Sequence, residues 1–167
     1  GRYTLLDQSS LDSFLPLCVQ RNISVIIGGP YNTGILATGA VAGAYFDYQP
    51  APPEILARVR RIEAVCARHE VRLASAALQF PLGHPRVAAV IPGARSADQV
   101  RRNLGIFKAP VPAAFWQELR HEGLLRADPE NEHGNGSADE LRQRLRQERD
   151  LRDARRPRGI GVTCAHE

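Results

Sequence analysis

The chain has 167 residues, of which 43% are hydrophobic and 24% are charged, and it carries a formal net charge of +4. These values are typical of a globular protein with a hydrophobic core, and they exclude a disordered or fibrous chain. No stretch approaches the roughly 18 consecutive apolar residues of a membrane span, and the N-terminus lacks the basic-then-apolar pattern of a signal peptide. We therefore expect a cytoplasmic protein with no membrane partner.

Cysteine usage and the distribution of charge add two constraints. Cys18, Cys66 and Cys164 are odd in number and widely spaced, unlike the cysteines of a disulfide framework, so we expect reduced thiols. The excess of basic residues lies in residues 1–125, whereas basic and acidic residues balance in 126–167. Such an excess is compatible with an anionic cofactor.

Residues 1–125 alternate between β-like runs and helical patterns. An apolar run at 2–6 is followed by a helical spacing of apolar residues at 11–22. The β-branched run ISVII at 23–27 predicts a strand that is buried on both faces. A long loop rich in Gly, Tyr, Asn and Pro then extends to about residue 53, and loops of this length are usually functional or disordered.

The same alternation continues after this loop. Prolines introduce a predicted helix at 54–70, and a second helical stretch follows at 73–80. The run RVAAVI at 86–91 predicts another strand, and Ser96 is a suitable N-cap for the next helix. A last helix is predicted at 113–125. The repeated order of strand and helix predicts an α/β fold with parallel strands and helices packed outside them.

The number of units leaves two architectures open. A (β/α)8 barrel needs about 250 residues, and this chain offers about three strand–helix units. It is therefore either a small open α/β sheet or the end of a barrel whose beginning is absent.

The composition changes at residue 126. A polar linker is followed by an Arg-rich stretch, so we expect 126–167 to be a charged C-terminal tail, helical or disordered, outside the domain formed by 1–125. A basic arm for nucleic acid is the alternative. However, acids interrupt the arginines and no Phe, Tyr or Trp is available there to stack on bases. We therefore expect no nucleic-acid partner.

Two strand ends carry the candidate functional residues. The motif GGPYNTG follows the strand at 23–27, and PGARS follows the strand at 86–91. The carboxyl ends of parallel strands meet at one edge of a sheet, and the N-terminus of a helix attracts phosphate. Ordinary turn chemistry explains either motif alone, but together they predict a nucleotide site. Its members are Gly29, Pro30, Tyr31, Asn32, Thr33, Gly93, Ala94, Arg95 and Ser96.

These motifs resemble those of a known family. SVIIGGPYNTGIL is similar to the seventh strand and pyrophosphate-covering loop of the aldo-keto reductases, and VIPGARSADQVRRNL to their eighth strand and following helix. With RYTLLDQ and ALQFPLGHP, the resemblance is closest to sugar dehydrogenases of the D-threo-aldose 1-dehydrogenase or L-fucose dehydrogenase type. It covers residues 1 to about 125. It implies a partial (β/α)8 TIM barrel made of the last three βα units.

The resemblance also implies a nicotinamide cofactor. Gly93 to Ser96 would contact the adenosine phosphate side, while Gln99 and Asn103, four residues apart on one helix face, would reach adenine or ribose. An exposed polar helix face is the alternative for those two. NADPH-preferring relatives often have a lysine where Gly93 stands, so we expect NAD, although Arg95 could hold the extra phosphate of NADP. Tyr31 could stack on nicotinamide, line the substrate site or simply be exposed.

The catalytic residues of the family have no counterparts in this sequence. The family uses a tyrosine with an aspartate, a lysine and a histidine, all on the first half of the barrel. The only lysine here, Lys108, follows the last strand and its helix. We therefore assign no catalytic residue and no metal ligand, and we expect this chain alone to be inactive.

Two functions remain open on this basis. The first is hydride transfer between a nicotinamide cofactor and a sugar or related aldehyde or alcohol, by a protein of which this chain is one part. The second is a non-catalytic half-barrel remnant that binds a nucleotide or a partner. Three strands of a barrel leave open sheet edges, so we expect Val25, Ile27 and Val90 to be partly exposed. Alone, the chain should aggregate, self-associate through those edges, or bind NAD at best weakly.

Overall fold

The computed structural model describes residues 3–128 and residue 147. Its helices are α1 (Phe14–Gln20), α2 (Ile35–Thr38), α3 (Pro53–Arg68), α4 (Leu73–Gln79), α5 (Ala97–Phe107) and α6 (Ala113–His121). Its strands are β1 (Val25–Gly28), β2 (Tyr45–Phe46), β3 (Gln49–Pro50) and β4 (Val87–Ile91). Short 3₁₀ helices at Ser9–Asp12 and Phe80–Gly83 complete the described elements.

The central feature is the parallel pairing of β1 with β4. Ile26 pairs with Ala89, Ile27 with Val90, and Gly28 with Ile91. A parallel pair needs a long crossover connection, which α3 and α4 supply here. The strands β2 and β3 form a separate antiparallel hairpin within that crossover. The strands expected at 23–27 and 86–91 are therefore present, and they lie side by side.

The expected strand at residues 2–6 was wrong over its described part. The backbone N–H of Thr4 donates to the carbonyl of Asp7 at 2.8 Å, and the Thr4 hydroxyl accepts from the N–H groups of Leu6 and Asp7. Leu5 and Leu6 are buried nonetheless. The apolar run thus marks core residues. The Thr4 hydroxyl, however, accepts hydrogen bonds from nearby backbone N–H groups that would otherwise pair with a neighbouring strand. Residues 3–128 contain two parallel strands where three were expected.

The burial of β1 also differs from the expectation. Side chains alternate between the faces of a strand, and helices cover one face only. Ile27 is buried with 3% exposure, whereas Ile26 on the other face is 61% exposed and Ile91 is 60% exposed. The prediction of a strand buried on both faces was therefore wrong. Of the three residues expected to be partly exposed, Val25 and Val90 are so, whereas Ile27 is buried.

The expected long loop at 28–53 is partly ordered. It contains α2 and the β2–β3 hairpin, and Ile35 and Leu36 of α2 are fully buried in the core. Gly39 ends α2 with φ +87°, and a Cβ at that position would lie 2.1 Å from Oε1 of Glu63. The buried side chains of α2 hold this segment against the core, and Gly39 allows its backbone to pass close to α3.

The main core lies between the helices and the covered face of the sheet. The apolar stripe of α3, formed by Val59, Ile62 and Val65, is fully buried, as its spacing predicted. Phe115 and Trp116 of α6 pack edge to face, with ring centroids 4.9 Å apart. These contacts confirm the helical predictions at 54–70 and 113–125, although α6 ends at His121.

Helix α5 has no fully buried residue, although Phe107 packs against the core, and a polar contact holds its C-terminal end. The Gln79 side chain, itself 7% exposed, donates to the carbonyl oxygens of Phe107 at 2.9 Å and Ala109 at 2.8 Å. Carbonyls at the end of a helix have no partner within the helix. Gln79 therefore anchors the end of α5 to α4.

The charged tail expected at 126–167 lies mostly outside the described residues. Within the described part, no helix has both the length and the apolar character needed to cross a membrane.

We predict that Gln79→Leu lowers the free energy of unfolding by about 1–3 kcal/mol, because two partly buried carbonyls lose their donor. Urea unfolding monitored by circular dichroism measures the change. The matched control is Gln117→Leu, since Gln117 is exposed on α6. Equal unfolding midpoints for the two variants would contradict the anchoring role.

Candidate functional site

The two candidate motifs lie at the same edge of the sheet. Gly28 at the end of β1 is paired with Ile91 at the end of β4. The turns 29–33 and 92–96 therefore leave adjacent strands in the same direction, as the sequence predicted. All of the predicted site residues lie on these two turns and on α5.

The turn after β1 has an unusual backbone. Gly29, Asn32, Thr33 and Gly34 all have positive φ, from +45° at Asn32 to +103° at Gly34. Glycine adopts this region freely, and asparagine does so more readily than most residues. The Thr33 hydroxyl accepts a hydrogen bond from the N–H of Tyr48 at 3.2 Å, which ties the turn to the β2–β3 hairpin.

Asn32 has a polar atom without a partner. Its side chain is 4% exposed, and its Oδ1 has no hydrogen bond to any residue in the described part of the chain. An unsatisfied buried acceptor costs free energy, so it calls for a donor from a ligand, from water or from further protein. This turn is thus chemically incomplete at the position where the sequence predicts a cofactor.

The turn after β4 leads into a capped helix. The Ser96 hydroxyl accepts from the N–H of Gln99 at 3.2 Å, and Oε1 of Gln99 accepts from the N–H of Arg95 at 2.5 Å. This reciprocal pattern confirms the predicted N-cap. It also occupies the Gln99 oxygen, which leaves Nε2 as the group that Gln99 could offer to a ligand. Gly93 is exposed, and a Cβ there would meet nothing within 4 Å.

Electrostatics at the start of α5 favour an anion. The first-turn N–H groups of a helix lack intrahelical acceptors, and the aligned peptide dipoles place positive charge at that end. Asp98 lies in this turn, but its carboxylate pairs with Arg101 at 2.7 Å. Arg95 and Arg102 are exposed and form no ion pair with other described residues. The net local charge is therefore positive.

One hydrogen bond connects the two sides of the site. Tyr31 Oη donates to Oδ1 of Asn103 at 3.2 Å, across 72 residues of sequence. Tyr31 is half-buried, and burial raises its pKa above the ordinary value, so the phenol remains protonated. Sequence reasoning placed both residues in the site but missed their contact, because no local pattern signals a pair so distant along the chain.

A cavity of about 440 Å³ extends along β4 and α5. Pro92, Ala94 and Asn103 line it near the strand end, whereas Leu82 and Phe107 line it at the opposite end of β4. Its wall is almost entirely apolar, with the Asn103 amide as the polar exception. The sequence did not predict this cavity, because its residues have the spacing of ordinary core positions.

Metal-ligating side chains do not cluster in the described residues. No group of three or more His, Cys, Asp or Glu side chains in 3–128 could hold a metal ion. Lys108 follows the last turn of α5, at the end opposite to Ser96. Tyr3 is buried and donates to Asp128 at 3.2 Å, and burial together with that carboxylate raises its pKa.

The fold and site define an α/β protein with two glycine-containing turns at neighbouring strand ends. The aldo/keto reductase family model matches residues 1–121. A pyridoxal 4-dehydrogenase from Microbacterium luteolum is 46% identical over 125 residues, and a D-threo-aldose 1-dehydrogenase from Pseudomonas sp. is 33% identical over 126. The chain belongs to the aldo/keto reductase family.

Coverage is unequal in these matches. Each alignment takes in 75% of this chain but only 36% and 38%, respectively, of the two relatives. The chain thus spans little more than a third of their length. Among solved structures, the aldo-keto reductase AKR11C1 from Bacillus halodurans (holo form) matches with a TM-score of 0.55 and 24% identity. That match covers 78% of this chain and 44% of the other, which agrees with an α/β fragment of a TIM barrel.

We predict that Ser96→Ala lowers the free energy of unfolding by about 1 kcal/mol, because the helix loses its capping oxygen. Hydrogen exchange should become faster at the first amides of α5. The control is Ser13→Ala, since Ser13 precedes α1 without making a side-chain cap. The capping assignment fails if both substitutions have the same effect.

Proposed function

We propose that this chain is the cofactor-binding part of an NAD(P)-dependent oxidoreductase that transfers hydride between nicotinamide and a sugar or related aldehyde or alcohol. One observation carries the proposal: the register of β1 and β4 pairs Gly28 with Ile91, so both predicted cofactor turns open at one edge of the sheet. Ligands of parallel α/β folds bind at this edge.

The residues present fit a dinucleotide. Gly93 leaves room for close approach, and the start of α5 offers backbone N–H groups and a positive local charge to a phosphate. Asn32 has an acceptor that still needs a donor, which a ribose hydroxyl next to the pyrophosphate can supply and the pyrophosphate oxygens cannot. In this proposal Gly29, Pro30, Tyr31, Asn32 and Thr33 contact the pyrophosphate side. Gly93, Ala94, Arg95 and Ser96 contact the adenosine phosphate, and Gln99 and Asn103 contact adenine or ribose. When bound, the nicotinamide ring supplies the hydride or accepts it.

NAD is the proposed cofactor, with NADP as the alternative. An extra phosphate on the ribose needs a nearby cation, and Gly93 provides none. The exposed guanidinium of Arg95 is the one feature at the turn that could pair with that phosphate.

The proposed substrate class is an aldehyde or its cyclic hemiacetal. The two relatives are named for pyridoxal and for D-threo-aldoses, which are an aromatic aldehyde and sugar aldehydes. Both compounds can close on an internal hydroxyl to form a ring. Hydride removal from such a hemiacetal carbon would convert it to a lactone, with the electron pair passing to the cofactor and a proton to a base.

Catalysis would require residues beyond those described. Lys108 lies at the wrong end of α5, and Tyr3 is buried against Asp128. A tyrosine without a nearby cation keeps its proton at neutral pH and is a poor general acid or base. We therefore propose that the chain alone is inactive, and that a non-catalytic nucleotide- or partner-binding module is the second candidate function.

Three exposed apolar surfaces support the need for further protein. Ile26 and Ile91 project from the uncovered face of the sheet, and Val100 and Leu104 of α5 are about half exposed beside the cavity. On the far side, Phe14 of α1 is 44% exposed. We propose that additional strand–helix units of the same barrel cover these surfaces, and that the isolated chain self-associates through them.

The cofactor proposal predicts a defined footprint. With NAD at a few millimolar, hydrogen–deuterium exchange followed by mass spectrometry should show slower exchange at residues 29–33 and 93–103. The remote helix α6 should exchange at an unchanged rate. Protection confined to other segments, or none with either NAD or NADP, would refute the proposal.

The self-association proposal predicts a change in oligomeric state. Replacing Ile26 and Ile91 together with threonine should increase the monomer fraction in analytical ultracentrifugation, because the uncovered face becomes more polar. Val41→Thr is the control, since Val41 is 51% exposed but lies outside the sheet. A wild-type chain that is monomeric at the same concentration would contradict the proposal.

A further inference from the structure

The side chains of Tyr31 and Asn103 form a pair that the proposed function does not explain. Tyr31 lies in the turn after β1, and Asn103 lies on α5 beside the cavity. Their hydrogen bond joins the phenol O–H to Oδ1 of the amide at 3.2 Å. The Asn103 side chain makes no other hydrogen bond within the described part of the chain.

The direction of this bond determines what Asn103 can offer. A carboxamide has an acceptor end and a donor end, and a rotation by half a turn exchanges them. Here the phenol O–H donates to Oδ1, which leaves the two N–H bonds of Nδ2 for another partner. Rotating the amide would let Nδ2 donate to the phenol oxygen, but it would leave the half-buried phenol O–H without its acceptor.

We propose that Tyr31 is a positioning residue that fixes the Asn103 amide with its N–H donors available to the adenine end of the dinucleotide. This inference rests on the proposed cofactor site. It adds that Asn103 acts as a donor to an acceptor atom of the ligand, and that the turn after β1 controls the orientation of a residue on α5.

The test is a double-mutant cycle on the full chain. Tyr31→Phe removes only the hydroxyl, and we expect the Kd for ADP-ribose and for NAD to rise about 3- to 10-fold. The affinity for nicotinamide mononucleotide should be unchanged, because that ligand lacks adenine. Tyr45→Phe is the matched control, since Tyr45 is 51% exposed on the hairpin.

Asn103 supplies the other side of the cycle. Asn103→Ala should weaken ADP-ribose binding, and adding Tyr31→Phe to it should weaken binding no further, because the Tyr31 hydroxyl acts through Asn103 and phenylalanine keeps the ring on the pyrophosphate side. Asn103→Asp keeps an acceptor for Tyr31 and removes the donor. It should therefore lose at least as much affinity as Asn103→Ala, since its carboxylate also repels the ligand phosphates. An unfolding midpoint close to that of the wild type would show that the loss does not come from misfolding.

The outcomes distinguish the inference from the proposed function. If wild-type protein binds neither ADP-ribose nor NAD, the cofactor site is refuted and the positioning role falls with it. The positioning role is overturned, and the cofactor site stands, if the wild-type protein binds both ligands and Tyr31→Phe binds them with the same Kd. The same holds if the losses of affinity from the two single substitutions multiply in the double mutant.

Discussion

The arrangement of the candidate site depends on the register of two parallel strands. Because β1 and β4 are hydrogen-bonded neighbours that run in the same direction, the chain leaves the sheet twice at one edge. Parallel pairing requires a crossover, and the helices α3 and α4 that form it also build the core. Core packing and site geometry therefore have a common origin, and a shift in register would move Gly28 away from Ile91.

Local patterns in the sequence predicted much of this architecture. The apolar spacing of α3 and the prolines before it gave its position, and the β-branched residues marked β1 to within about two residues. Ser96 was identified as an N-cap because its hydroxyl satisfies a helix amide regardless of tertiary context. The adjacency of the two glycine turns followed from the general rule for parallel α/β sheets.

The features that the sequence could not predict depend on contacts between residues that are far apart along the chain. Tyr3 to Leu6 look like a strand because they are apolar, but Thr4 closes a local turn and no strand lies beside them in the described residues. Ile26 has the same character as Ile27, and only the placement of helices on one face decides which of them is buried. The Tyr31–Asn103 contact and the Gln79 anchor likewise join residues far apart in the chain.

We predict that the turn after β4 and the start of α5 bind the adenine end of a dinucleotide. Photolabelling with an azidoadenine analogue of NAD, followed by peptide mapping, tests this directly. Attachment should fall within residues 92–107 and be suppressed by excess NAD. Labelling that NAD does not suppress, or that maps to α1 or α6, would contradict the claim that the paired ends of β1 and β4 form a cofactor site.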